Sequence, residues 1–176
     1  FLDAALAGRP AQKRLRTIAR ELLAPQLAKL TWTPAPKEDE QTGELRGDLI
    51  ASLAQFDHAP TIAKAIRAFA DDDVGTAKLP ASLRRPVTFA TGMHADRAHF
   101  DRLLVLLAKA TGEEERWTLA SALAAGRDAQ RAEELLAESL KGLAPTNVSS
   151  AIPAMVAGLS PFGDLAYRYA LDNWKA

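Results

Sequence analysis

The sequence predicts an all-α fold: a HEAT/armadillo-like superhelix of antiparallel helix pairs, with about eight or nine helices. Three observations lead there. The chain of 176 residues holds 36 Ala and 25 Leu but only 10 Val plus Ile. Helices favour Ala and Leu, whereas strands want β-branched residues. Apolar residues then recur at helical spacing along most of the chain. Finally, the polar turn residues His58, Asp96, Asp128 and Ser160 follow one another at intervals of 38, 32 and 32 positions. Intervals in that range mark stacked helix pairs, and short connections make neighbouring helices antiparallel.

The first helix is expected from about Ala11 to Leu30, with Leu15, Ile18, Leu22 and Leu23 inward and Pro25 kinking or interrupting it. Arg9, Lys13, Arg16 and Arg20 form a second stripe, read as a solvated face. Thr33 to Gly43 is a loop with two prolines and a charge run. A helix to about Phe56 carries Leu45, Leu49, Leu53 and Phe56 on one face. Asp57, His58 and Pro60 then make a turn before a helix bearing Ile62, Ile66 and Phe69. Asp71, Asp72, Asp73 and Gly75 open a second loop, and the three acids lack the spacing of a calcium loop.

From Pro80 to His94 the pattern gives a short turn and a helix, with Pro86 expected at a first helical position. Asp96 is expected to cap a helix bearing Phe100, Leu103, Leu104 and Leu107. Thr111 and Glu114 have capping-box spacing ahead of Trp117, Leu119 and Leu123. Asp128 is expected to cap a helix bearing Leu135, Leu136 and Leu140, and Thr146 or Asn147 to begin another. Ser160 and Pro161 read as a cap and first-turn proline opening a last helix through Trp174, with Leu165, Tyr169 and Leu171 inward. Ala120, Ala122, Ala124 and Ala125 would let helices approach closely.

Composition narrows the function. Hydrophobic residues at 48% and charged residues at 25% describe a globular chain rather than a disordered one. Zero cysteines exclude disulfides and cysteine catalysis and leave the compartment open. Twenty-two basic and 22 acidic residues leave no basic excess for a nucleic-acid partner. The longest apolar run, Ala151 to Leu159, contains Pro153 and falls short of the roughly 20 residues of a membrane span. Arg9 to Arg20 is basic and periodic rather than apolar, so no signal-peptide pattern is read in the first residues given and no targeting segment is expected within them. The chain starts at Phe1 rather than Met, which reads as a processed product or a fragment of something longer, and its length favours one domain, so residues 1–176 are expected to form a single helical-repeat domain.

No catalytic constellation emerges. His94 and His99 stand five apart, about 140° around a helix, and lack the His-Glu-x-x-His pattern of a helical zinc site. Gly158 to Gly163 has its second glycine one position late for a nucleophile elbow, and no strand precedes it. No phosphate-binding loop occurs. Trp32, Trp117 and Trp174 sit in apolar surroundings and read as packing anchors.

Several segments resemble the C-terminal domain of zinc aminopeptidases of the puromycin-sensitive and endoplasmic-reticulum aminopeptidase family. Leu30-Thr31-Trp32 followed by Glu38, Thr42 and Leu45-Arg46 is similar to its Leu-Gly-Trp … Glu … Thr … Leu-Arg stretch. Leu79-Pro80 with Leu83-Arg84 and Val87, Phe100-Asp101 with Leu103-Leu104, and Asn173-Trp174 match later motifs in order. Thr31 stands where that family usually has glycine, and a Gln-Asp pair is missing near Asn147 to Ser150. The resemblance implies a helical-repeat bowl covering an upstream catalytic domain that carries the zinc and its His-Glu-x-x-His motif. This chain has neither that motif nor Gly-Ala-Met-Glu-Asn. No catalytic residue, metal ligand or cofactor is therefore expected here, and the implied partners are the upstream catalytic domain of the same polypeptide and peptide substrates. A free-standing protein–protein interaction module is the alternative; the reading frame upstream of Phe1 separates the two.

Lys64 and Arg102 each lie six residues after a turn residue and two after an apolar anchor, Ile62 and Phe100. Two residues is about 200° on a helix, which places both away from the packed face. If that surface faced the chamber, the pair could hold a peptide's C-terminal carboxylate. The bland reading is two solvated cations, and the ladder stops at Glu134 and Ala166.

Overall fold

A computed structural model describes residues 2–73 and 79–173, apart from the side chains of Ala4 and Asp73. These residues are all-helical, with neighbouring helices packed in pairs and no strand among them. Nine of the helical segments are eight residues or longer, as the sequence predicts. The chain divides into two compact units, Phe1–Ala90 and Thr91–Ala176.

The first unit contains α1 (Leu2–Ala5), α2 (Pro10–Leu30), α3 (Glu40–Gln55), α4 (Ala59–Asp73) and most of α5 (Ala81–Met93). Pro10 begins α2, where its missing N–H costs nothing. Pro25 does not interrupt α2. The carbonyl it deprives of a partner belongs to Glu21, an exposed residue, so water can take the place of the lost bond. The expected inward stripe of α2 is only partly realised. Leu27 is buried, whereas Ile18 and Leu22 are exposed, in a helix that packs against α3 and α1.

The basic stripe of α2 is corrected in part: Arg9 and Lys13 are exposed, as a solvated face requires, but Arg16 and Arg20 are half-buried and paired. Arg16 donates from Nε to Asp3 at 2.7 Å and also pairs with Asp57, while Arg20 donates to the Phe56 carbonyl at 3.0 Å. These two arginines tie α2 to the turn after α3, where Asp57 sits at φ 58°. Asp39 caps α3 by accepting from Thr42 N at 2.8 Å. Leu49, Ile50, Leu53 and Ala54 are buried on α3, and Ala54, Ala65 and Ala90 meet with Trp32 and Ile62 packed against them.

Pro86 lies inside α5 rather than at a first helical position; Pro80 precedes the helix and accepts from Leu83 N. Gly47 of α3 lies against the Pro86 ring: a Cβ there would stand 3.5 Å from Pro86 Cγ, an ordinary van der Waals contact. The aspartates before Gly75 lead into the segment outside the described residues; Asp72 accepts from Leu79 N at 2.7 Å.

The second unit contains α6 (Arg97–Lys109), α7 (Glu113–Ala124), α8 (Ala129–Ser139), α9 (Thr146–Ser149), α10 (Ile152–Leu159) and α11 (Gly163–Asp172). Asp96 and Asp128 cap α6 and α8 as predicted, accepting from His99 N and Arg131 N at 2.9 Å each. Arg97 bridges the two helices through Glu134, with 2.9 Å between Nη2 and Oε1. Thr111 is not a cap. Gly112 takes that position, which puts Glu113, Glu114 and Glu115 all in the first turn of α7, where carboxylates favour the helix dipole.

Ser160 differs from its expected role. It closes α10, donating to the Val156 carbonyl at 2.7 Å, and accepts from Phe162 N; α11 starts three residues later. Leu140 and Leu171 are exposed, because Leu140 lies past the end of α8 and Ala166 takes the buried place on α11. Trp174 lies outside the described residues.

The alanine stripe of α7 does allow a close approach. Ala120, Ala122, Ala124 and Ala125 are buried, and a Cβ added to Gly92 would stand 2.8 Å from Ala122 Cβ and closer still to its carbonyl oxygen. Gly92→Ala is expected to lower stability by about 1–3 kcal/mol or more, since the obstacle is backbone. Gly158→Ala, in α10 with open space around it, is expected to raise stability by about 0.5–1 kcal/mol. Thermal melts of the two variants check both signs.

Candidate functional site

The site of the first unit is built from the end of α2. Helix C-termini leave carbonyls without partners, and here Arg46 supplies them. Its guanidinium donates from Nε to the Thr31 carbonyl at 2.8 Å and from Nη2 to that of Leu30 at 3.2 Å. The same group grips Glu38 with both terminal nitrogens, Nη1 at 2.5 Å from Oε1 and Nη2 on Oε2. Arg46 is 1% exposed and the Glu38 side chain 12%. The bidentate bond to Glu38 raises the Arg46 pKa against the opposing effect of burial, and the same bond lowers that of Glu38. Glu38 Oε2 also accepts from Ala35 N, so the clamp holds the loop at both ends.

The clamp sets an unusual backbone. Thr31 lies at φ 58°, ψ 170°, a region essentially reserved for glycine that costs other residues about 1–3 kcal/mol. The Thr31 hydroxyl donates to the Thr33 carbonyl at 3.0 Å. Lys37, next to Glu38, also has a positive φ of 63°.

This bend places Trp32 in an open cleft of about 390 Å³, lined also by Leu27, Leu53, His58, Thr61 and Lys64. Lys64 is an exposed residue of α4 whose Nζ stands 5.0 Å from the Trp32 ring centroid, a cation–π contact. Thr61, 4% exposed, is hydrogen bonded to His58 Nδ1 at 2.8 Å. Burial, followed by the positive charge of Arg20, lowers the His58 pKa. Both causes disfavour the protonated imidazole, and among the described residues Lys64 is the only Lys, Arg, Asp or Glu lining the cleft. The chemistry on offer is an apolar floor with one cation in its lining.

Of the two residues singled out from sequence, Lys64 lines this cleft, and Arg102 is an exposed residue of α6 in the second unit. Sequence reasoning missed Arg46 as a buried residue and Trp32 as a cleft wall. The signal was present in α3: Gly43, Arg46, Ile50 and Leu53 form one buried stripe, and Leu45, expected inward, is 51% exposed. Among the described residues no group of three or more His, Cys, Asp or Glu is placed to hold a metal, and no helix is long and apolar enough to cross a membrane.

The architecture is that of an all-helical domain of paired helices with a clamped aromatic cleft. A family model for the ERAP1-like C-terminal domain matches residues 1–176, and the chain belongs to that family. No curated protein matches it. Trp32, Glu38 and Arg46 are among the residues that carry the resemblance; Glu38 and Arg46 form the clamp and Trp32 lines the cleft.

The lowered His58 pKa carries a sign. A histidine whose folded pKa lies below its unfolded value of about 6.5 binds fewer protons folded than unfolded. Its contribution is full above the unfolded value and is lost as pH falls through the folded one. Stability measured by urea titration should therefore drop between pH 7 and 5, and His58→Gln should flatten that part of the profile.

Proposed function

We propose that this chain is the non-catalytic C-terminal domain of a zinc metalloaminopeptidase, enclosing the catalytic chamber and controlling peptide access. Membership of the ERAP1-like C-terminal domain family over residues 1–176 carries this reading. The sequence supports the non-catalytic part, since it contains neither His-Glu-x-x-His nor Gly-Ala-Met-Glu-Asn. The residues present do not fit a zinc site: three histidines are dispersed, and no metal-holding group forms among the described residues. Zinc chemistry therefore belongs to the catalytic domain upstream, the partner of this one within the same polypeptide.

Peptide substrates are the second partner. Lys64 of the first unit and Arg102 of the second are each a proposed peptide-binding cation, able to take a carboxylate through charge-assisted hydrogen bonds. Lys64 has the better setting, in the lining of an apolar cleft with no acidic side chain in its wall among the described residues.

Two measurements test the proposal. Residues 1–176 alone should retain no stoichiometric zinc after dialysis and should not hydrolyse an alanine or leucine amide reporter; chelator-sensitive turnover would contradict it. In the full-length enzyme, Lys64→Ala with Arg102→Ala should lower kcat/KM for peptides of about ten residues and leave single-residue reporters unchanged. Each charge-assisted bond lost should cost about 1.5–3 kcal/mol where it is made in the transition state. An equal effect on both substrates, or none on either, would remove the anchor assignment.

A further inference from the structure

Two of the non-glycine residues at positive φ fall in one loop, the segment joining α2 to α3: Thr31 at 58° and Lys37 at 63°. They flank the two points at which Arg46 grips that loop, the Thr31 carbonyl and the Glu38 carboxylate. Thr31 is the more strained, because its ψ of 170° takes it out of the left-handed helical well into a region that a Cβ disfavours. Such a residue persists only where its surroundings over-determine it. Here the surroundings are one guanidinium, 1% exposed, with four hydrogen bonds to the loop and to the end of α2.

The next residue is Trp32, half-buried in the cleft wall beneath Lys64. Backbone torsion at Thr31 sets where the indole goes. We propose that Thr31 is a strained hinge held shut by the Arg46–Glu38 pair, and that its release swings Trp32 away from Lys64 and opens the cleft. The handle is the loop itself, whose Thr33, Ala35, Pro36 and Lys37 are exposed. Pulling on the loop displaces Glu38, which leaves Arg46 without its acid and frees the Thr31 carbonyl. The hinge is a property of the cleft's shape and does not depend on what the cleft binds.

Strain makes this testable by a double-mutant cycle. In the full chain with Trp117→Phe and Trp174→Phe, Trp32 is the sole tryptophan. Thr31→Gly removes the Cβ penalty. Glycine also adds freedom to the unfolded chain, but that opposing effect is smaller than the strain of this backbone region, so the melting midpoint should still rise. Glu38→Gln, or Glu38→Asp should the glutamine variant not fold, loosens the clamp. The expected results are a raised midpoint with unchanged Trp32 emission for Thr31→Gly, and red-shifted, more iodide-quenched emission for the Glu38 variant. Combining the two should shrink that red shift, because an unstrained hinge has no drive to open. A midpoint unchanged or lowered by Thr31→Gly, or an equal emission change with and without it, would overturn the hinge.

Discussion

One buried arginine organises the first unit. A guanidinium at 1% exposure is costly to bring out of water, and the cost is offset only where nearly every N–H finds an acceptor with good geometry. Arg46 meets that condition through a bidentate carboxylate and two helix-end carbonyls. The bonds are local in space but span from Leu30 to Arg46 in sequence, so they fix the exit of α2, the path of the loop and the first turns of α3 together. Asp39 caps the same helix one residue beyond the acid of the pair. Where the chain bends and where Trp32 points in the cleft follow from that arrangement.

At the other end of the same helix pair a second pair of arginines does related work with less burial. Arg16 joins Asp3 to Asp57, and Arg20 takes the Phe56 carbonyl. A helix of 21 residues is thus tethered at its middle and at its end, so Pro25 between the tethers is tolerated. The second unit uses different means. Its core is close helix contact through small residues at Gly92 and Ala122, with an exposed ion network of Arg97, Asp101 and Glu134 across α6 and α8. Burial of small residues specifies distance between helices, whereas the first unit specifies direction by hydrogen bonds.

Element existence was largely legible in the sequence because the signals are local. The aspartates at 96 and 128 announce helix starts through their own side chains. Ser160 misled because its hydroxyl has two local uses, and turning back to the Val156 carbonyl competes with capping forward. Leu45 misled because its spacing to Leu49 and Leu53 is as good as that of Arg46 to Ile50 and Leu53; the choice between the two faces was made by Glu38, eight residues away. Thr31 was noticeable only as a substitution in a motif, since a positive φ leaves no trace in hydrophobic pattern. Lys64 was reachable from helical spacing alone, but its setting beside Trp32 was not, because that contact joins residues 32 positions apart.

The dependence of this unit on Arg46 is tested most directly by amide hydrogen exchange on an Arg46→Met variant, which keeps the bulk of the side chain and removes every donor. Protection should fall at the end of α2, through the loop from Thr31 to Asp39 and in the first turns of α3, while the turn held by Arg16 and Arg20 near Phe56 and Asp57 keeps its native rates. Unchanged protection from Leu30 to Gly43 would contradict the account.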